Sequence, residues 1–139
     1  MVIKIDRLND AFHFEASNED GRSVLIDAAE SIGGHNQGMR PMQLLLAAIG
    51  TCSIFDTLVI LKKQKQIVED IKIEVEGFRE PGAVPSPFTS IHMKFIFWGE
   101  LKPEKVEKAL QKGVEKYCSV GVMLEKTAKV THSFEIRTK

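Results

Sequence analysis

The sequence lacks the charge asymmetry and the cysteine motifs from which many functions are recognised. Nineteen basic and nineteen acidic residues give a formal net charge of zero, and like charges nowhere form a long run. A dedicated nucleic-acid binder would carry a basic excess or a basic stripe, so the composition argues against that class. Only two cysteines are present, Cys52 and Cys118. Their wide separation excludes a CxxC metal knuckle or a thioredoxin-type motif.

A secretion signal and an uninterrupted apolar span are also missing. Residues 1–6 are alternating and charged, without the apolar centre of a signal peptide. The longest apolar stretch, 44–60, is interrupted by polar residues that include Asp56. A membrane span needs about 20 mostly apolar residues, and a carboxylate inside it is costly. We therefore expect no membrane association and a cytoplasmic location, where cysteines are more often reactive thiols than structural bridges.

What remains is the composition of an ordinary globular protein. The chain has 139 residues, of which 43% are hydrophobic and 27% are charged. This length is usual for one domain and allows a core to form without disulfides. No repeat or low-complexity segment divides the chain. The sequence therefore predicts a single domain over residues 1–139.

Hydrophobic periodicity predicts the element order β-β-β-α-β-β-α-β, which is an α+β layout. Strands are expected where apolar and polar residues alternate, at 2–6, 11–16, 23–27, 70–76, 91–98 and 129–136. Helices are expected after the prolines that suit a first turn, at 41–66 and 103–118, followed by a short helix at 120–126. Ser119 is the expected N-cap of that short helix. The short loops favour antiparallel sheets packed on the long buried central helix.

The first half of the central helix is apolar nearly all round. Leu44, Ala48 and Cys52 recur on one face, while Leu46 and Ile54 fill the others. A helix of this kind must be covered on every side. Either its own sheets or a partner subunit should provide that cover.

The two cysteines are the residues that carry the most chemical information. By helical periodicity both point to the inner faces of their helices, so they could meet in the core. The alternative is that both are small buried hydrophobic residues, which is common for free cysteine. The four histidines show no ligand spacing, and we assign no metal. The glycine-rich loop 33–38 lacks a GKS or GKT ending, and we assign no nucleotide or other cofactor.

Two segments resemble the OsmC/Ohr family. The first is GGHNQGMRPMQLLLAAIGTC at 33–52, which has a glycine-rich loop, a proline that opens the central helix, and small residues leading to Cys52. The second is YCSV at 117–120, which is similar to the family's second cysteine motif at the end of the later helix. The order of elements also fits, so the resemblance covers nearly the whole chain. The segments 40–42 and 58–63 are most similar to the less characterised OsmC-like branch.

This resemblance implies an intertwined homodimer with the central helices between the subunits. It also implies a thiol-dependent peroxidase for hydrophobic organic hydroperoxides. In such an enzyme Cys52 attacks the peroxide, Cys118 resolves the sulfenic acid, and a dithiol reductant restores both thiols. The family places an arginine beside the first cysteine, for which Arg7 and Arg40 are the candidates here.

One position departs from the family pattern. The glutamate that follows the proline in the family is Met42 here, and the next residue, Gln43, carries no charge. This loss favours an alternative: a non-catalytic protein of the same fold that binds a small acyl-like ligand or senses redox state. A structural or interaction protein with inert cysteines is a third possibility. Four residues are candidates to line an apolar pocket: Phe55, Met93, Phe95 and Met123.

Overall fold

The structure is a computed structural model that describes residues 1–138. Its contacts divide the chain into two compact units, Met1–Leu45 and the residues from Leu46 onward. The first unit is a small sheet with a loop packed along it. The second contains most of the long helix, a larger sheet and the remaining helices.

The sheet of the first unit is an antiparallel meander of three short strands. These are β1 (Lys4–Arg7), β2 (Phe14–Ser17) and β3 (Ser23–Ile26). Asn9 and Asn18 form the two turns, because each side-chain oxygen accepts two backbone N–H groups of the residues that follow it. The predicted strand 11–16 starts three residues later, since Ala11 and His13 are held in the turn by Asn9.

The loop after β3 is organised by a buried carboxylate. Asp27 is 1% exposed and accepts hydrogen bonds from the N–H groups of Ala28, His35 and Gln37. Burial alone would raise the pKa of Asp27, but these three N–H groups and nearby His13 lower it below its ordinary value. A Cβ added at Gly34 would lie 2.0 Å from the carbonyl oxygen of Ala28. Glycine at this position therefore allows the backbone of residue 34 to lie close to that of Ala28.

The long helix, α1 (Pro41–Lys63), begins at the predicted proline. The N–H of Arg40 donates to Oε1 of Gln43, which is half of a capping box. Lys62 and Lys63 lie in the last turn, where cations suit the helix dipole.

In the single chain α1 is buried along one side only. The buried stripe repeats every fourth residue and includes two polar side chains: Ile49, Ser53, Thr57 and Leu61. The opposite side exposes Phe55 by 66% and Val59 by 54%. Among residues 1–138, α1 is the one helix whose length and apolar composition would allow it to cross a membrane, and 33% of its most apolar window is buried.

The second sheet has the strand order β4-β5-β6. Its strands are β4 (Asp70–Arg79), β5 (Phe88–Trp98) and β6 (Lys129–Arg137). The predicted hairpin of β4 and β5 is antiparallel. The prediction of antiparallel pairing is wrong for β5 and β6, which are parallel. A parallel pair requires a crossover connection, and the segment between these strands provides one.

The crossover segment contains α2 (Pro103–Gln111), a π-helical turn (Lys112–Lys116) and α3 (Ser119–Leu124). The predicted helix 103–118 is therefore interrupted. Gly113 in the π turn packs so tightly on α1 that an added Cβ would lie 2.1 Å from Oγ1 of Thr57 and 2.7 Å from the carbonyl oxygen of Ser53. The centre of β5 forms the core of this unit, with Met93, Phe95 and Phe97 fully buried.

Candidate active site

The sulfur of Cys118 lies against the middle of α1. It is 3.4 Å from Oγ of Ser53, which donates a hydrogen bond to it, and 4.0 Å from the carbonyl oxygen of Ile49, to which the thiol donates. The N–H of Gly121 donates to the same sulfur at 3.1 Å. Cys118 is 1% exposed. Its sulfur is therefore buried and held by two donors and one acceptor.

Cys52 lies on the same turn of α1 that contacts Cys118. It is half-buried, whereas Cys118 is fully buried, and both are free thiols. Cys52 is near enough to Cys118 to raise the pKa of the Cys118 thiol. The structure thus brings together the two cysteines that periodicity placed on inner helix faces.

The pKa of the Cys118 thiol is raised, mainly because burial disfavours the thiolate. The hydrogen bonds from Ser53 and Gly121 oppose this effect, while Cys52 adds to it. The net effect favours the protonated thiol of Cys118 over the thiolate.

Local structure explains how Cys118 reaches this position. A π-helical turn, Lys112–Lys116, follows α2 and ends two residues before Cys118. Cys118 is the N-cap of α3, because its sulfur accepts the N–H of Gly121. The prediction that Ser119 caps this helix is therefore wrong, because a sulfur takes the role usually filled by a hydroxyl. The helix also ends two residues earlier than expected.

The two candidate arginines both lie in the first unit. Arg7 donates to the carbonyl oxygens of Asp10 and Ala11, at 2.7 and 2.9 Å, and so braces the turn between β1 and β2. Arg40 donates to Oδ1 of Asn36 and to the carbonyl oxygen of Gly38. Neither guanidinium forms an ion pair within residues 1–138.

The four candidate pocket residues fall into two groups. Met93 and Phe95 are completely buried in the core, whereas Phe55 and Met123 are exposed by 66% and 73%. They do not line one wall in the single chain. Across the described part of the chain, no group of three or more His, Cys, Asp or Glu residues could hold a metal ion.

Ser53 is the residue of this site that the sequence reasoning missed. The sequence indicates this residue through its position in α1. Ser53 and Thr57 are polar residues in a buried stripe that repeats every fourth residue and is otherwise apolar. A polar residue on a buried helix face needs a hydrogen-bond partner, and for Ser53 this partner is the sulfur of Cys118.

Comparison with known proteins identifies the family. A family model described as OsmC-like protein matches residues 34–133. Protein YhfA of Escherichia coli K12 is 36% identical over 124 residues, which are 88% of this chain and 89% of that protein. The crystal structure of a hypothetical protein from Aquifex aeolicus VF5 is 30% identical with a TM-score of 0.84, covering 99% of this chain and 96% of that one.

The fold of this chain is also found in proteins whose descriptions state a function. An organic hydroperoxide resistance protein OsmC from Legionella pneumophila has a TM-score of 0.71 over 97% of each chain, at 16% identity. At that identity the likeness concerns the fold. This chain belongs to the OsmC-like protein family, as the two segments around its cysteines predicted.

Proposed function

We propose that this protein is a thiol-dependent peroxidase that reduces organic hydroperoxides through Cys52 and Cys118. The observation that carries the proposal is the position of the Cys118 sulfur against the turn of α1 that contains Cys52. A two-cysteine peroxidase needs a second thiol within reach of the first, in a site that excludes water. Membership of the OsmC-like family and its shared fold with organic hydroperoxide resistance proteins support the same chemistry.

The reaction has three steps. The Cys52 thiolate attacks the outer oxygen of the hydroperoxide and the O–O bond breaks. The organic group leaves as an alkoxide and becomes an alcohol by taking up the proton that the Cys52 thiol released on ionisation. Cys118 then attacks the resulting sulfenic sulfur, and the hydroxide that leaves takes the thiol proton to form water. A dithiol reductant returns the disulfide to two thiols by two exchange steps and is itself oxidised.

The different environments of the cysteines favour this division of roles. In the single chain Cys52 is half-buried, so a peroxide or a reductant reaches it more readily than it reaches Cys118. Cys118 is buried and its pKa is raised, so it competes little for peroxide and is preserved for the second step.

The activating cation remains part of the proposal. A positive group near Cys52 would stabilise its thiolate, and Arg7 and Arg40 are the candidates by resemblance to the family. Met42 stands where the family has a glutamate that orients this arginine. Arg7→Ala and Arg40→Ala therefore test which guanidinium acts, through loss of the peroxide-dependent step without loss of the fold.

The surface of α1 favours a homodimer with one OsmC-like domain per subunit. Phe55 and Val59 are exposed apolar side chains on a helix that is apolar all round, and a second copy of the chain would cover them. Phe55→Glu should give a monomer in light scattering, whereas Glu76→Lys on the polar face of β4 should leave the dimer unchanged. A wild-type monomer at micromolar concentration would contradict the dimer.

The central experiment measures consumption of cumene hydroperoxide with dithiothreitol as reductant. Wild-type protein should turn over, Cys52→Ser should be inactive, and Cys118→Ser should accumulate a sulfenic acid that dimedone labels on Cys52. Thr51→Ala is the matched control, since Thr51 donates to the carbonyl oxygen of Ala47 and does not contact either sulfur. No turnover by the wild-type protein, or full turnover by Cys52→Ser, would contradict the proposal.

A non-catalytic binding protein is the second candidate. Met42 in place of the glutamate favours it, because a poorly oriented cation would leave the thiolate of Cys52 unstabilised. This alternative predicts thiols that do not respond to peroxide and a small acyl-like ligand that remains bound in native mass spectrometry of the purified protein.

A further inference from the structure

The hydroxyl group of Ser53 is used differently from its neighbours on α1. Thr51 donates to the carbonyl oxygen of Ala47 at 2.7 Å, and Thr57 donates to that of Ser53 at 2.8 Å. Both are the usual bonds of a helical hydroxyl to the preceding turn. Ser53, which is completely buried, donates instead to the sulfur of Cys118, 65 residues away in the chain.

The geometry around the Cys118 sulfur suits an anion. Two donors, Oγ of Ser53 and the N–H of Gly121, point at the sulfur from different elements. The acceptor of the thiol proton, the carbonyl oxygen of Ile49, is farther away at 4.0 Å. Deprotonation would lose this long bond and strengthen the two donor bonds, because hydrogen bonds to ionised groups are the stronger kind.

We propose that Ser53 is a positioning residue that, together with the N–H of Gly121, holds the sulfur of Cys118 as a thiolate while disulfides form and break. The inference rests on the proposed function. It adds the group that makes the buried thiol reactive when Cys118 attacks the sulfur of Cys52. The same group stabilises Cys118 as the leaving thiolate when a dithiol attacks Cys52, which is the more accessible sulfur.

The direction of the effect on ionisation agrees with this geometry. Burial raises the pKa of Cys118, and the Ser53 hydrogen bond lowers it. Without the hydroxyl of Ser53, burial should raise the pKa of Cys118 further. The thiolate of Cys118 should then appear only at higher pH.

Ellman's reagent tests the role of Ser53 in a reaction that does not require peroxide. Cys52 should react first and release one thionitrobenzoate, after which Cys118 attacks the mixed disulfide and releases the second. The second phase therefore measures attack by Cys118, and Cys118→Ser identifies it by its loss. If the wild-type protein shows no second phase, the proposal is overturned.

Ser53→Ala should move the pH midpoint of the second phase upward and slow this phase at pH 7. For each tenfold loss of thiolate the rate should fall only about threefold, because a more basic thiolate is about threefold more nucleophilic. Above the new midpoint the variant should therefore match or exceed the wild-type rate, which a purely structural defect would not produce. Ser53→Thr keeps the hydroxyl and should keep the wild-type midpoint.

Thr57→Val is the matched control, because Thr57 is also fully buried and its hydroxyl contacts no sulfur. Its second phase should have the wild-type midpoint. An unchanged midpoint in Ser53→Ala, or an equal shift in Thr57→Val, would overturn the role of Ser53. A shifted midpoint in a protein that consumes no peroxide would refute the peroxidase and leave the role of Ser53 intact.

Discussion

Replacement of Gly113 by alanine tests whether the π turn is fixed by its contact with α1. The added Cβ would lie 2.1 Å from Oγ1 of Thr57, 2.7 Å from the carbonyl oxygen of Ser53 and 3.1 Å from the backbone nitrogen of Thr57. Two of these three atoms belong to the backbone of α1, so no side-chain rotation relieves the clash. Either the π turn or the helix must move.

The expected change in the free energy of unfolding follows from two opposing effects. In an open helical position, alanine in place of glycine would stabilise the protein by about 0.5–1 kcal/mol. Overpacking against a rigid neighbour costs about 1–3 kcal/mol, and contacts this short favour the upper part of that range. We therefore expect Gly113→Ala to lower the free energy of unfolding by about 2 kcal/mol.

Urea denaturation followed by circular dichroism measures this change. With a denaturant slope of about 1–3 kcal/mol/M, a loss of about 2 kcal/mol lowers the midpoint by roughly 1 M. Gly50→Ala is the control within α1, because its nearest contact, at 2.9 Å, is a methyl group of Val75 that can rotate away. The reasoning is refuted if Gly113→Ala is as stable as wild type, or no less stable than Gly50→Ala.

Three further predictions concern stability and its dependence on pH. Phe95→Ala should destabilise the protein by about 3–5 kcal/mol in urea denaturation, because the ring is completely buried; a loss below about 1 kcal/mol would contradict its place in the core. Asp27 has a lowered pKa in the folded state, so its charge stabilises the fold above the unfolded pKa of about 3.9. The stability difference between wild type and Asp27→Asn should therefore shrink as the pH falls below about 4, and a constant difference would contradict this. His132 also has a lowered pKa, chiefly because of burial. Its neutral form stabilises the fold above the unfolded pKa of about 6.5, so wild type should lose stability between pH 7 and 5, and His132→Gln should lose less.

Features set by short-range pattern could be predicted from the sequence. Alternation marked β4 and β5, and Pro41 marked the start of α1, because each depends on residues adjacent in the chain. The direction of β6 could not be read in this way. Alternation shows which face of a strand is buried and carries no information about the strand beside it.

The nearness of the two cysteines could be predicted from the sequence, whereas the groups around them could not. Helical periodicity placed Cys52 and Cys118 on inner faces, and the structure brings them together. Ser53 escaped notice because a helical serine usually bonds to its own helix. The cap formed by Cys118 was missed because the π turn that produces it has no sequence signature comparable to a proline or a capping serine. The roles of Arg7 and Arg40 stay predictions.

The parallel pairing of β5 and β6 links sheet assembly to thiol chemistry. β6 can join the sheet only after the whole crossover, 99–128, has turned back along it, and that closure costs chain entropy that the β4–β5 hairpin avoids. Cys118 lies within this crossover. A chain that has formed only the hairpin therefore has both sulfur atoms but no arrangement that holds them together, and oxidants would meet two unrelated thiols. The nearness of the two cysteines therefore depends on the completed tertiary structure.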